Sequence, residues 1–281
     1  MKRHHVLCVG FIAVLASFGS IAASRVVSLG GDVTETIYAI DAQSQLAGVD
    51  STSTFPAAAT RLPNVGYVRQ LSAEGVLALR PDLILATHDA GPATVISQVR
   101  DAGVHIEMLP PSRTPLDIEN KIRTIGRLTG HADAANALAT KVAKEFASLA
   151  TSVAAMSSHP RVVFLMSAGK GSPMAAGSDT AADRAIALAG GVNVASAMQG
   201  YKAISPEALV ALRPDVVLLM KETEGSVGGA DGVLAMPGIA DTPAGTAKRI
   251  IFIEGQALLG FGPRTGAEAL ALQQRWAHLA P

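Results

Sequence analysis

The sequence predicts an α/β fold made of two Rossmann-like α/β lobes joined by a long rigid helix, with a ligand cleft between the lobes. Three observations carry that expectation. Short β-rich runs alternate with helical periodicity along the chain. A stretch with helical periodicity and no strand signal separates four of those runs from the other three. One helix, turn and strand pattern occurs twice, once on each side of that stretch. Composition agrees, since 281 residues that are 49% hydrophobic and 16% charged can bury one large core or two smaller ones and are not a disordered chain. Lys plus Arg number 23, as do Asp plus Glu, so the basic footprint of a nucleic-acid-binding protein is absent.

In chain order, residues 1–23 read as a cleavable export signal. Met1-Lys2-Arg3-His4-His5 is a basic start, Val6 to Phe18 is an apolar run short for a membrane span, and Ser20 to Ser24 offers small residues for cleavage near Ala22 or Ala23. The only cysteine, Cys8, follows Leu7 rather than the small residue a lipoprotein site needs, so the mature chain is expected to have no lipid anchor and no thiol. An N-terminal lobe over 24–131 is expected to hold strands at Val26 to Leu29, Leu46 to Val49, Leu83 to Ala86 and His105 to Leu109. After the first of these, Gly30-Gly31 does not complete a Gly-x-Gly-x-x-Gly nucleotide turn, and Asp32 with Glu35 reads as a capping arrangement for the next helix. Thr114 and Pro115 suit the first turn of a helix carrying Ile118, Ile122 and Ile125, and Gly130 stops it.

The connecting helix is expected within 132–158, where Leu138, Val142, Phe146, Leu149, Val153 and Met156 recur at steps of three and four before Pro160. A C-terminal lobe over 159–281 then takes strands at Arg161 to Met166, Val216 to Met220 and Arg249 to Ile253. The repeat links the lobes. Leu71-Ser72-Ala73-Glu74 with Leu79-Arg80-Pro81-Asp82 is answered in register by Ile204-Ser205-Pro206-Glu207 with Leu212-Arg213-Pro214-Asp215. Each copy reads as a Ser-capped helix with an acidic first turn, an Arg-Pro-Asp turn and a buried strand.

A search for catalytic chemistry returns little. There is no Gly-x-Ser-x-Gly elbow, phosphate-binding loop or His-Glu-x-x-His pair, and the histidines are too scattered for a zinc site. Among them only His88 follows a strand closely enough to face the cleft. An exported hydrolase would rest on loop Ser, His and Asp residues that no spacing organises, and no catalytic residue is assigned. An adhesion or signalling module on the same scaffold is a further alternative. The informative loop is Pro63 to Gln70. Its Tyr67 offers a hard phenolate oxygen suited to ferric iron as an axial haem ligand, and Arg69 two residues on would favour the ionised phenol. A loop tyrosine that merely packs its ring is the more frequent outcome, and spacing does not decide between the two.

The stretches Val27-Ser28-Leu29-Gly30-Gly31-Asp32-Val33-Thr34-Glu35, Asn64-Val65-Gly66-Tyr67-Val68-Arg69-Gln70-Leu71-Ser72 and Leu258-Leu259-Gly260-Phe261-Gly262-Pro263-Arg264-Thr265 resemble the periplasmic haem-binding proteins of bacterial ABC importers, over essentially the whole mature chain. The resemblance implies a helix-hinged carrier of ferric, b-type haem, monomeric and periplasmic. It would receive haem downstream of an outer-membrane receptor and deliver it to an inner-membrane ABC permease with its ATPase. By position, Tyr67 matches the family's axial tyrosine, Arg69 the arginine beside it, and Glu74 and Glu207 the glutamates that dock one lobe each onto the permease. Some relatives add a histidine ligand from the second lobe; Ser167 to Gly171 contains none. Met174 is assigned to the haem face or to plain packing. Tyr201, which with Lys202 follows Gly200 as Tyr67 follows Gly66, is assigned to a haem edge or propionate. Phe261 and Arg264 precede the last helix, with Arg264 either a propionate partner or a structural turn arginine. A ferric-siderophore or cobalamin carrier of the same family is the alternative ligand class.

Overall fold

The computed structural model describes residues 25–166 and 173–277. The expected export signal, Cys8 and the Ser167 to Gly171 segment lie outside the described residues. The first sheet holds β1 (Val26–Leu29), followed by α1 (Gly31–Ala39), then β2 (Leu46–Val49). A short helix α2 (Ala73–Leu77) leads into β3 (Leu83–Thr87), and α3 (Ala93–Asp101) connects it to β4 (His105–Leu109). All four strands are parallel, in the spatial order β2-β1-β3-β4.

Two helices follow without an intervening strand. In α4 (Pro115–Thr129), the Thr114 side chain accepts from the Asp117 amide while the Asp117 carboxylate accepts from the Thr114 amide, and Gly130 closes the helix at φ 76°. In α5 (Ala132–Ala154), Ala135, Ala139, Val142, Phe146 and Leu149 form the buried stripe, so the helix ends four residues short of the expected 158.

The second sheet opens with β5 (Arg161–Met166) and continues through β6 (Met174–Ala176), α6 (Ala181–Leu188), β7 (Val192–Asn193), β8 (Tyr201–Ala203), α7 (Pro206–Leu212) and β9 (Val216–Met220). Short helices α8 (Glu224–Val227), α9 (Gly229–Leu234) and α10 (Pro243–Thr246) lead to β10 (Ile250–Ile253). The chain then turns through α11 (Gly255–Leu259) into α12 (Thr265–Ala277). The order is β10-β9-β5-β6-β8, with β7 also paired to β5; β6 and β8 run antiparallel to their neighbours. Sequence reading did not anticipate β6, β7 or β8. Each has two or three residues, and Met174-Ala175-Ala176 has no branched or aromatic member to mark a strand.

The parallel strands at the centre of each sheet, β1 and β3 in the first and β5 and β9 in the second, are buried on both faces. In β3, Leu83 and Leu85 face one core while Ile84 and Ala86 face another. In β5, Val162 and Phe164 are separated in the same way from Val163 and Leu165. The inner faces belong to one continuous core. Val26 and Leu85 of the first sheet join Phe164 and Leu218 of the second through Ile122 and Ile125 of α4 and Phe146 of α5. The only tryptophan, Trp276 on α12, closes this core over the second sheet and donates its ring N–H to the Ala189 carbonyl at 2.7 Å.

The repeat has a structural counterpart. Ser72 and Ser205 accept from the amides of Gly75 and Ala208 at 3.1 and 3.2 Å, capping α2 and α7. Arg80 and Arg213 both take left-handed backbone, φ 47° and 45°, at the ends of those helices. Asp82 and Asp215 accept from the amides of Arg25, the residue just before β1, and Arg161, the first residue of β5. The two guanidiniums then cover the orphan carbonyls of the helix ends, Arg25 donating to Leu79 and Arg80 and Arg161 to Leu212 and Arg213.

Candidate ligand-binding cleft

The carboxyl ends of the parallel strands from both sheets open onto one cavity of about 710 Å³, within the range of small-molecule sites. Gly31 and Asp32 reach it after β1, His88 and Asp89 after β3, and Arg113 after β4. Glu222 after β9 and Gln256 after β10 close it from the other side. In the order β2-β1-β3-β4 the connections diverge between β1 and β3, the switch point at which open α/β sheets hold ligands. Gly30 permits that crevice to form: its φ is 135°, and a Cβ there would lie 2.4 Å from the Thr87 methyl.

The tyrosine loop is pinned on both flanks. The Val65 amide donates to Val49 O, the Ser51 amide to Gly66 O and the Gly91 amide to Val68 O, at 2.8 to 3.0 Å. Between these anchors Val68 is buried at 5% exposure, so its neighbours Tyr67 and Arg69 point away from the core, Tyr67 being 39% exposed. Both line the cavity. The Arg69 guanidinium lies over the Tyr67 ring at 5.9 Å from its centre, and its Nε donates to Asp89 Oδ2 at 2.7 Å. Burial raises the Asp89 carboxyl, but the Thr87 hydroxyl and the Arg69 charge outweigh it and hold the group below the usual carboxylate range. Asp89 was not visible as a partner in the sequence, because no spacing relates positions 69 and 89.

Asp32 and Glu35 do not cap α1, whose N-cap Gly30 has no side-chain acceptor. Both carboxylates are buried and both are ion-paired. Asp32 meets the Lys121 ammonium of α4, which also donates to the Phe261 carbonyl at 2.9 Å. Glu35 meets Arg264 at 2.9 Å; burial raises its carboxyl, and Arg264 only partly offsets that. Lys121 left a readable signal, because it interrupts the apolar stripe of Ile118, Ile122 and Ile125.

The other expected residues divide. Phe261, at φ 52° and 4% exposure, lines the cavity floor. Arg264 does not reach the cavity: its Nη1 donates to Glu254 at 2.5 Å and its Nη2 to Glu35, and it stacks 3.5 Å from the Phe55 ring centre beside a separate cavity of about 380 Å³. Met174 sits in β6 against Ala203, and Tyr201 is half-buried in β8, both outside the cavity wall formed by the described residues. Burial raises the Tyr201 phenol, opposed by the Arg69 charge and the Ala182 amide. Glu74 and Glu207 are exposed in the first turns of α2 and α7, equivalent positions of the two repeat copies. Among the described residues no cluster of three or more His, Cys, Asp or Glu side chains is arranged to hold a metal ion.

The periplasmic heme-binding protein RhuT of Roseiflexus sp. RS-1, in apo form, superposes with a TM-score of 0.87 at 39% identity, covering 92% of this chain and 100% of that one. A periplasmic heme-binding protein from Pseudomonas aeruginosa gives 0.83 at 34% identity, covering 92% and 94%. A cobalamin-binding protein of Halobacterium salinarum is 32% identical over 200 residues, 69% of this chain and 53% of its own, so the chain spans about half the length of that curated relative. The sequence profile described as periplasmic binding protein matches residues 26–257, and these relatives are binding proteins rather than enzymes. The chain therefore belongs to the periplasmic binding protein family.

Proposed function

We propose that the protein is an exported carrier that holds ferric haem in the cleft and delivers it to an inner-membrane ABC permease. The observation that carries this reading is Tyr67, exposed on a pinned loop at a cavity of about 710 Å³ with the Arg69 guanidinium over its ring. A phenolate is a hard anion that suits ferric iron, and a cation beside it favours ionisation. Tyr67 would supply the protein's bond to the iron; among the described residues no cluster of three or more His, Cys, Asp or Glu side chains is arranged to hold a metal ion by itself. Arg69, tethered by Asp89, is the positioning residue. Glu74 and Glu207, one on each repeat copy, are the docking carboxylates, and the location is the periplasm after cleavage near Ala22 or Ala23. The haem-binding solved relatives support haem as the cargo.

Haemin titration tests it. The wild-type protein should develop the charge-transfer absorption of high-spin ferric phenolate. Tyr67→Phe should lose that band and weaken binding at least tenfold, roughly the size that losses in the outer shell alone produce. Equal spectra and affinity in the two proteins would remove Tyr67 from the site. Cobalamin is the second reading, favoured by the cobalamin-binding relative; tighter binding of cyanocobalamin than of haemin in the same titration would select it.

A further inference from the structure

Two residues of the second lobe bond directly to the first. Gln256, on α11, lines the cleft and directs all four hydrogen-bonding positions of its amide across it. Its Oε1 accepts from the Thr54 amide at 3.2 Å and the Thr54 hydroxyl at 2.7 Å, and its Nε2 donates to Gly31 O at 2.8 Å and to Glu35 Oε2 at 3.3 Å. Chemistry fixes the orientation of this amide, since a backbone N–H can only donate and a carbonyl only accept. Arg264 reaches the same carboxylate, its backbone amide donating to Glu35 Oε1 at 3.2 Å and its Nη2 to Oε2 at 2.9 Å. Glu35, 3% exposed on α1, is therefore held by both residues of the opposite lobe.

The first lobe is shaped for this contact. A Cβ at Gly31 would lie 2.8 Å from Gln256 Cδ and 2.5 Å from the Thr52 carbonyl oxygen, so glycine there lets the two lobes approach to hydrogen-bond distance. The fastening is at one end of the cleft, where Thr54 follows β2 and Gln256 follows β10, edge strands of their sheets. At the other end, beyond β4, the Ser112 hydroxyl is buried without a partner, and Asp179 ahead of α6 has only the Gln199 amide of its own lobe at 3.5 Å. Among the described residues no hydrogen bond or ion pair joins those two segments across the cleft.

We infer that Gln256 and Arg264 form a latch on Glu35 that holds the empty cleft at its binding width and slows the escape of bound cargo. Both are positioning residues, since they act through the wall of the cleft rather than on the iron. The inference rests on the haem reading above for its cargo, whereas the latch is a property of the unloaded chain. A width set in advance removes ordering from the binding step. Parting the lobes must break the bonds to Glu35 and leave a buried carboxylate without its partners, which opposes opening at this end. The lobes then separate readily only where no such bonds cross, so cargo loss is governed by how long the latch stays closed.

The experiment measures the width without cargo and then the rate of cargo loss. In a Cys8→Ser background, Ala78→Cys and Ala211→Cys place spin labels at exposed, equivalent positions of the two repeat copies, and double electron–electron resonance reads the distance between them. Gln256→Ala and Arg264→Gln should each lengthen the mean distance by about 2 Å or more, the scale of hinge rearrangements. Gln256→Ala removes a half-buried side chain and keeps Glu35 paired with Arg264, so it tests the latch even if Arg264→Gln fails to fold. Transfer of haemin from the unlabelled variants to apomyoglobin should run about tenfold faster than from the wild type, the scale of one hydrogen bond to a charged group. Unchanged distances, or longer distances with unaltered transfer, overturn the latch. A wild type without a phenolate band overturns the haem reading instead and leaves the distances to decide the latch on the unloaded chain.

Discussion

Lys121 and Asp32 place a charge pair at 4% and 8% side-chain exposure beneath the cleft. Both charges have lost most of their water, so the pair is defined by its dependence on both members rather than by its net contribution. Replacing Lys121 with Met leaves the Asp32 carboxylate buried and uncompensated, and should lower unfolding free energy in urea by about 3–5 kcal/mol. Adding Asp32→Asn should recover a large part of that loss. If Lys121→Met unfolds at the wild-type urea midpoint, the ammonium is not what neutralises the carboxylate. At this scale the sequence was partly legible. Tyr67 and Arg69 stood out as a phenol and a guanidinium two residues apart in one loop, with ring packing left open as the alternative, and the structure puts both at the cavity. Asp32 and Glu35 were misread as caps because acidic residues in a first helical turn are favoured by the dipole, whereas here their partners, Lys121 and Arg264, lie 89 and 229 residues away.

The helix, turn and strand units show why the repeat was readable and its function in the fold was not. Ser, Glu, Arg, Pro and Asp recur in register because each answers a local need: cap, dipole, left-handed exit, rigid turn and acceptor. What each unit is fastened to is non-local. Arg161 reaches 51 and 52 residues ahead to cover the Leu212 and Arg213 carbonyls, as Arg25 does for Leu79 and Arg80. Arg161→Ala should therefore cost about 1–2 kcal/mol, the range for losing hydrogen bonds to a charged donor at a partly exposed site, with the amides of β9 exchanging faster than those of β3. Equal exchange in the two strands would show that the guanidinium does not secure the unit. The small strands β6 and β8 escaped notice for a related reason, since they exist only through pairing with each other and with β5.

Across the whole molecule, one core runs from the first sheet through α4 and α5 to the second. A shared core resists hinge opening, because separating the sheets would expose apolar surface such as Phe146 and Ile125 to water. It also holds Glu74 and Glu207 at a fixed separation, so a permease that grips both carboxylates can load the two lobes against each other. In vesicles containing the permease and its ATPase, Glu74→Lys with Glu207→Lys should abolish haem delivery while haemin affinity in solution stays at the wild-type value. Undiminished delivery would remove the two glutamates from docking. The fold class was legible because strand runs, helical stripes and the duplicated unit are all local. The lobe-to-lobe contacts were not, because they depend on how those units meet.

The solitary indole of α12 has a practical consequence. With Trp276 the only tryptophan in the chain, enclosed at 1% exposure and anchored to Ala189, the protein contains a single dominant emitter in one defined environment. Porphyrin absorption overlaps indole emission, so cargo arriving in the groove should dim that one fluorophore by energy transfer. Loading and hand-over can then be timed by stopped flow on the native chain, without attaching a dye.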